Sequence, residues 1–199
     1  MRGRLSERIA PLWGLLRPSL VDLCREDIQA GHGKICALMG GQPSDVGYCW
    51  GFLGSRIYIR SRVRPGGPAA QWLRIPESID GVEQIDGVLI CQPAKKVKST
   101  RDGRILRHSR RVAVEPVPWA IRKLDDVGFT VERAQVLSTG SLRGRRRGMM
   151  ITVGRTVISV RGHVRNGNYS RWRFAEAMVN GVGPGRGYGL GMMISEFQP

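Results

Sequence analysis

Apolar and polar or basic residues alternate most clearly in the segment 56–63. A period of two is typical of a β-strand with one buried face, and the other face here is basic. A second strand is predicted at 47–53, joined to the first through a turn at Gly54–Ser55. Weaker strand signals occupy 1–18, where an apolar centre has basic flanks, and 71–75.

The segment 19–39 differs, because its apolar residues recur every three to four positions and predict a helix. Ser19 is expected to cap the start of this helix. The run from Gly40 to Pro43 is expected to end it. Gly31 and Gly33 weaken its middle, each by about 1 kcal/mol relative to alanine.

The second half gives a clearer order of elements. The predicted elements are a strand at 87–97, a basic insertion at 98–111, a helix at 116–127, a strand at 129–137, an arginine-rich loop at 138–148, strands at 149–153 and 156–164, a helix at 171–180 and a closing strand at 190–197. The order β-α-β-β-α-β is that of a ferredoxin-like domain. We therefore predict an α+β fold of two ferredoxin-like domains in tandem, a divergent one at 1–84 and a second at 85–199.

The charge balance narrows the class of partner. The chain has 32 lysines and arginines against 16 acidic residues, which gives a net charge of +16. Such a surface suits nucleic acid or another anionic partner, and the planar fork of arginine suits phosphate. Arginines recur every three residues from 101 to 110, so a helical or turn-like segment would gather them on one side. The side chains expected to follow a phosphate backbone form three clusters: Lys95, Lys96, Lys98, Arg101, Arg104, Arg107, His108, Arg110 and Arg111; Arg143, Arg145, Arg146 and Arg147; and Arg186.

Other classes fit the sequence poorly. No segment reaches the ~18 apolar residues of a transmembrane helix, and the start does not resemble a signal peptide. We therefore expect no membrane partner and a cytoplasmic location. Cys24, Cys36, Cys49 and Cys91 form no C-x-x-C pair, which favours reduced, buried thiols over disulfides or a zinc site.

Glycine occupies every second position of the segment 181–191, GVGPGRGYGLG. All six glycines have odd numbers, so the dinucleotide fingerprint G-x-G-x-x-G does not fit, and no Walker A motif follows. Glycines at this density let another molecule approach the backbone closely. Arg186 at the centre indicates that this molecule is anionic. Gly183, Gly185 and Gly187 are therefore predicted to contact it.

His32 is the best candidate for proton transfer among the three histidines, because it lies between two glycines on the first predicted helix. His108 lies in a basic cluster and fits a contact with nucleic acid. His163 lies in a strand and fits a structural role. A lone histidine is more often structural than catalytic, so the residues alone do not assign His32.

A family resemblance adds to this. The glycine segment, with the MMIS that follows it, resembles the glycine-rich signature of the CasE family, CRISPR RNA-processing endoribonucleases of the RAMP superfamily. QPAKK at 92–96 resembles the family's Asn-Pro-x-Lys segment, and 116–124 resembles its Trp-Leu-x-x-Lys/Arg-Leu helix. The strand 157–164 resembles the one that leads to the glycine loop. AGH at 30–32 sits where the family carries its catalytic histidine.

The resemblance implies two ferredoxin-like domains that bind the stem-loop of a CRISPR repeat and cut at the 3′ base of the stem. It implies cleavage without a metal or other cofactor, through attack of the 2′-hydroxyl on the adjacent phosphate, with His32 as general acid or base. It also implies that the protein stays on its product as a subunit of a surveillance complex. The family's tyrosine three residues before the histidine is Gln29 here. In a divergent member, such as those of type IV systems, arginines can take its place, and Arg25 and Lys34 are the candidates.

Two other functions stay open on the sequence. A non-catalytic RNA-binding subunit of the same complex would keep the basic clusters and explain Gln29. A basic structural protein of a ribosome-like particle would explain the charge, but not the order of elements before the glycine loop.

Overall fold

The computed structural model describes residues 10–66, 72–75, 84–101 and 104–195. The first half contains β1 Leu12–Leu16, α1 Pro18–Glu26, α2 Ile28–Met39, α3 Pro43–Val46, β2 Tyr48–Leu53, β3 Arg56–Ser61 and β4 Leu73–Ile75. The second half contains β5 Ile85–Cys91, β6 Ala94–Arg101, β7 Arg104–Ala113, α4 Pro116–Asp125, β8 Phe129–Arg146, β9 Met149–Val164, α5 Asn168–Asn180, a 3₁₀ turn Arg186–Tyr188 and β10 Met192–Ser195. No helix of the described residues is long and apolar enough to cross a membrane.

Two four-stranded antiparallel sheets have the same order of strands. In chain order within each half, the first strand lies between the fourth and the third, which gives β4-β1-β3-β2 and β10-β5-β9-β8. The predicted pair of ferredoxin-like domains is confirmed. The N-terminal domain is the divergent one, because the described residues between β3 and β4 (62–66 and 72) contain no helix. The boundary between residues 84 and 85 stays a prediction.

The predicted helix 19–39 is wrong in one respect, because it is two helices. Asp27 takes an extended conformation between α1 and α2, and its carboxylate accepts hydrogen bonds from the backbone N–H groups of Gln29 and Ala30. These hydrogen bonds cap the start of α2. A side chain that accepts hydrogen bonds from the backbone just after it favours a break between two helices at that residue. The first helix begins earlier than predicted, with Arg17 at its N-cap in place of Ser19, since Pro18 is well suited to a first turn.

In the second half, two predicted breaks between strands are absent, and one predicted strand is broken in two. The expected loop 138–148 and the expected break at 154–155 are continuous strand, because β8 pairs with β9 down to a two-residue turn at Arg147–Gly148. Both turn residues have positive φ, 51° and 77°, as a tight hairpin requires. The predicted strand 87–97 instead ends at Cys91, since Pro93 cannot donate to a ladder.

The prediction for the basic insertion at 98–111 also needs correction. The insertion forms the antiparallel hairpin β6–β7 and not a helix. Residues three apart in a strand alternate between faces, so a spacing of three does not gather the arginines of 101–110 on one side.

The two domains share a hydrophobic core. One cluster of buried side chains lies between the C-terminal sheet and α4 and α5, and includes Leu89 and Cys91. The other joins the opposite face of that sheet to α1, α2 and the N-terminal sheet, and includes Val88 and Ile90. Successive residues of β5 thus enter different clusters, which buries the C-terminal sheet on both faces.

Polar contacts also join the domains. The buried Arg60 of β3 donates hydrogen bonds to the backbone carbonyls of Ala10 (3.1 Å) and Met193 (3.3 Å). Arg155 of β9 donates to the carbonyl of Phe52 at 2.8 Å. The cysteines predicted to be buried thiols are all buried and free.

Gly31 and Gly33 are expected to respond oppositely to alanine. A Cβ at Gly31 would lie 2.5 Å from Sγ of Cys24, whereas nothing lies within 4 Å of one at Gly33. Gly33→Ala should therefore raise the free energy of unfolding by about 0.5–1 kcal/mol. Gly31→Ala should lower it by about 1–3 kcal/mol, because α1 and α2 can no longer approach as closely. Denaturant unfolding checks both, and a loss of stability in Gly33→Ala would contradict the exposed position of Gly33.

Candidate active site and nucleic-acid interface

The glycine segment 181–191 forms a loop between α5 and β10 that contacts both domains. Five of its six glycines have positive φ, and Gly187 is the exception. A Cβ at Gly183 would lie 2.6 Å from the Trp119 ring, and one at Gly189 would lie 2.9 Å from the Trp50 ring. Glycine is therefore required at these two positions by the packing of the chain itself, and the expected contact of Gly183 with an anionic molecule stays a prediction. At both positions the close neighbours are tryptophans of the chain itself, one from each domain.

His32 lies against this loop. A Cβ at Gly187 would meet only Cε1 of His32, at 3.9 Å. The Tyr188 ring and the imidazole form an edge-type pair, with centroids 6.3 Å apart and an angle of 63° between the ring planes. On another side the Trp50 ring is nearly parallel to the imidazole, at 6.4 Å and 15°. The helix α2 and the glycine loop thus bring His32 beside the backbone of Gly187.

The hydrogen bonds of His32 are local. Its Nε2 lies 3.0 Å from Oε1 of Gln42, so with this carbonyl as acceptor Nε2 carries the proton and Nδ1 the lone pair. Sγ of Cys36 lies 3.6 Å from Nδ1 and 3.5 Å from Nε2. An atom that lay in the ring plane at these distances from both nitrogens would overlap Cε1. The sulfur therefore lies over the face of the ring. Tyr48 donates to the carbonyl of Gly41 at 3.0 Å and so holds the loop that carries Gln42.

The surroundings of His32 favour the neutral form of its imidazole. Burial lowers the pKa of His32 below its ordinary value of 6.5, and nearby Arg146 lowers it further, while the hydrogen bond with Gln42 opposes both. Its side chain is only 9% exposed. A neutral imidazole can accept a proton, as a general base must.

The far end of the β8–β9 hairpin places arginines beside this histidine. Leu142 and Val153 anchor the hairpin in the shared core. Gly144 then packs on the start of α2, where an added Cβ would lie 3.0 Å from the backbone nitrogen of Gln29. The arginines predicted to bind phosphate lie on either side of Gly144 and are exposed: Arg143, Arg145, Arg146 and Arg147.

Other predicted site residues lie apart from His32. Arg25, at the end of α1, pairs with Asp22 (3.0 Å) and donates to the carbonyl of Gly54 (2.8 Å). Lys34 is exposed on α2 two residues after His32, and residues two apart on a helix do not face each other. No contact described in the structure joins either residue to His32.

The remaining predicted contacts lie on the glycine loop and the first hairpin. Arg186 is exposed, and one of its nitrogens donates to the carbonyl of Asn180 at 2.9 Å, which ties it to the end of α5. Exposed side chains on the β6–β7 hairpin are Lys95, Lys96, Lys98 and Arg111. The side chains of Arg101, Arg104, Arg107, His108 and Arg110 lie outside the described residues. An added Cβ at Gly185 would lie 2.8 Å from Leu190, so this glycine also packs within the loop.

Sequence reasoning missed Gln42, Tyr188 and Trp50. Tyr188 is the one aromatic residue of the glycine segment, and this position among glycines could have marked it as a site residue. Gln42 directly follows the glycines that end α2, where a polar side chain is ordinary. Within the described residues no three His, Cys, Asp or Glu side chains are close enough to hold a metal ion.

Comparison with known proteins agrees with this architecture. The fold is similar to a Thermus thermophilus Cse3 bound to an RNA representing a pre-cleavage complex, with 19% identity, a TM-score of 0.67, and coverage of 94% of this chain and 99% of that one. It is also similar to Cas6e from Escherichia coli K-12 (15%, 0.66, 93% and 98%) and to a chain of a CRISPR RNA-guided surveillance complex in a pre-nicking state (14%, 0.61, 93% and 98%).

At such identities these likenesses show the fold alone. A search of curated proteins finds no significant match to the sequence. The family model described as CRISPR associated protein, however, matches residues 82–195. This match spans more than half of the chain, including both hairpins and the glycine loop, and the chain therefore belongs to the CRISPR associated protein family.

Proposed function

We propose that this protein binds the stem-loop of a CRISPR repeat RNA, cuts it at the base of the stem without a metal ion, and stays bound as a subunit of a CRISPR ribonucleoprotein complex in the cytoplasm. One observation carries the proposal: neutral His32 lies beside the backbone of Gly187 and near Arg146. A base and an open backbone thus meet at one place, and Arg146 is close enough for its charge to act on the base. Relatives of the same fold include a Cse3 bound to RNA before cleavage.

The chemistry needs only groups of this kind. The imidazole accepts the proton of a 2′-hydroxyl, whose oxygen then bonds to the adjacent phosphorus. The bond from phosphorus to the 5′-oxygen breaks, and that oxygen takes a proton from the imidazolium or from water. One product ends in a 2′,3′-cyclic phosphate and the other in a 5′-hydroxyl. Arg146 is placed to stabilise the charge that develops on the phosphate.

Tyr188 fits the role that Gln29 leaves empty. The resemblance implies a tyrosine beside the catalytic histidine, and here the glycine loop brings a tyrosine ring to 6.3 Å from the imidazole centroid. We include Tyr188 in the proposed site as the residue that positions the imidazole. Arg25 and Lys34 stay predictions, and the contacts of Arg25 with Asp22 and Gly54 favour a structural role for it.

The two hairpins and Arg186 are proposed to grip the stem. The major groove of duplex RNA is deep and narrow, so arginines act mainly on phosphates and groove shape. An 18-residue strand paired to its partner down to a two-residue turn gives the arginine tip a stiff support. Its position beside α2 would direct the stem towards His32.

Cleavage is expected to depend on pH in one direction only. The active form of His32 is the neutral imidazole, and burial lowers its pKa below the ordinary value, so the rate should reach a plateau as the pH rises and stay on it up to about pH 8.5. Below the plateau it should fall as the imidazole gains a proton. Single-turnover rates on a labelled repeat hairpin from about pH 4.5 to 8.5 measure this. A rate that instead falls as the pH rises above 6.5 would contradict a histidine base.

A non-catalytic RNA-binding subunit is the second candidate, and one observation favours it. The side chain of His32 is nearly buried, and its Nε2 is bonded to Gln42. RNA would have to displace Gln42 to reach that nitrogen.

Binding and cutting of one RNA separate the two functions. The probe is a labelled repeat from the CRISPR array nearest the gene, beside a hairpin of equal length with a scrambled stem. Tight, selective binding with cutting supports the enzyme, and tight binding without cutting supports the structural subunit. Equal binding of both hairpins would contradict repeat recognition.

A further inference from the structure

An exposed pair of aromatic rings lies on α5, away from the candidate active site described above. Tyr169 is 68% exposed and Trp172 is 51% exposed. They are one turn apart, and their rings stack with centroids 6.0 Å apart at an angle of 29°. The guanidinium of Arg173 lies 5.7 Å from the centre of the Tyr169 ring. We call Tyr169, Trp172 and Arg173 the α5 platform.

The platform is held on a firm support. The opposite face of α5 is buried in the C-terminal core, where Phe174 stacks on Phe129 at 5.4 Å. Gly128 allows the turn before β8 to touch the first turn of α5, since an added Cβ would lie 2.8 Å from the carbonyl oxygen of Ser170. The fold therefore uses rigid structure to present two large rings to solvent, although such rings are among the strongest contributors to a core.

The surroundings indicate the chemistry of the ligand. Arg173 is exposed within the platform. The one acidic residue of α5, Glu176, lies 3.8 Å from Arg62 of the neighbouring strand end, which offsets its charge. The rings protrude with a cation beside one of them. A ligand with flat rings and negative charge fits this surface best, and a nucleotide has both.

We propose that the α5 platform stacks unpaired bases of a single-stranded RNA segment, while Arg173 meets its phosphates. This goes beyond the proposed cutting of a hairpin, since it concerns unpaired nucleotides and a different surface. It holds whether or not the protein cleaves RNA.

Tryptophan fluorescence tests the proposal directly. Trp50, Trp72 and Trp119 are buried and Trp13 is half-buried, so Trp172 is the exposed reporter. Titration of the full chain with an oligouridylate of about eight nucleotides should quench its emission. Trp172→Ala should lose the quenching and bind this RNA about tenfold more weakly. Trp172→Phe should keep most of the affinity, and Leu137→Ala, at another exposed apolar residue, should match wild type.

An abasic oligonucleotide of the same length separates stacking from charge. It keeps the phosphates but has no bases, so Trp172→Ala and wild type should bind it equally. Equal binding of the base-bearing RNA by Trp172→Ala and wild type would overturn the proposal and point to a protein partner at this surface. An equal loss on both oligonucleotides would also overturn it. Melting curves check folding, and Tyr169→Ala replaces Trp172→Ala if the latter does not fold.

Discussion

His32→Ala is expected to slow cleavage of a labelled CRISPR repeat hairpin by about 10²–10⁴-fold while leaving its binding nearly unchanged. The imidazole is the group beside Gly187 that can take a proton at neutral pH, because burial keeps it uncharged. Its removal leaves the arginine hairpin and the glycine loop in place. Single-turnover cleavage and fluorescence anisotropy on the same RNA measure the two effects separately.

His163→Ala is the matched control. This histidine is on β9, exposed, and pairs with Glu132 at 3.0 Å. Its loss should change the rate by no more than about twofold, as for an ordinary surface substitution. Equal rates for His32→Ala and wild type would move the chemistry away from His32 and towards the arginines.

The affinity for the repeat hairpin is expected to fall by about 10³–10⁵-fold between ~50 and ~200 mM salt, if six to ten phosphates are contacted. A chain with a net charge of +16 and two basic hairpins releases many counterions when it binds RNA. The measurement is the slope of log affinity against log salt, made with His32→Ala so that the RNA stays whole.

A protein variant in the β8–β9 hairpin tests whether its arginines contact the phosphates. Replacing Arg143, Arg145 and Arg147 together by alanine should flatten this slope, by up to about 0.7–0.9 for each phosphate that the variant no longer neutralises. Arg146 is kept because it acts on His32. A slope that is flat in wild type, or unchanged in the variant, would contradict a phosphate contact at the β8–β9 tip.

The apolar pattern predicted the elements that lie over a core and failed where the chain leaves it. The helix α4 is predictable from the sequence because Pro116 and Gly128 bound a segment in which Ala120 and Leu124, four residues apart, are buried. The second half of β8 was taken for a loop because, between Leu137 and its end, only Leu142 and Gly144 are buried. Pairing with β9 holds that segment as a strand, and the hydropathy of a single segment carries no sign of its partner.

The candidate site was predictable only in part. The glycines around His32 and the family likeness drew attention to this residue. Its neighbours Gln42 and Tyr188 come from other parts of the chain and meet it only after folding. The two glycines beside it also look alike in the sequence, although only Gly31 touches another helix, at Cys24. Family membership, carried by 82–195, disfavours the ribosome-like particle that the charge alone had allowed.

The most direct test of metal-free cleavage is the fate of one modified RNA in excess EDTA. The wild-type protein is given the repeat hairpin with either a 2′-hydroxyl or a 2′-deoxy group at the nucleotide before the mapped cut. We predict that both RNAs bind equally, that only the first is cut, and that its 5′ fragment ends in a 2′,3′-cyclic phosphate. Cutting of the deoxy RNA, or loss of cutting in EDTA, would contradict the mechanism proposed for His32.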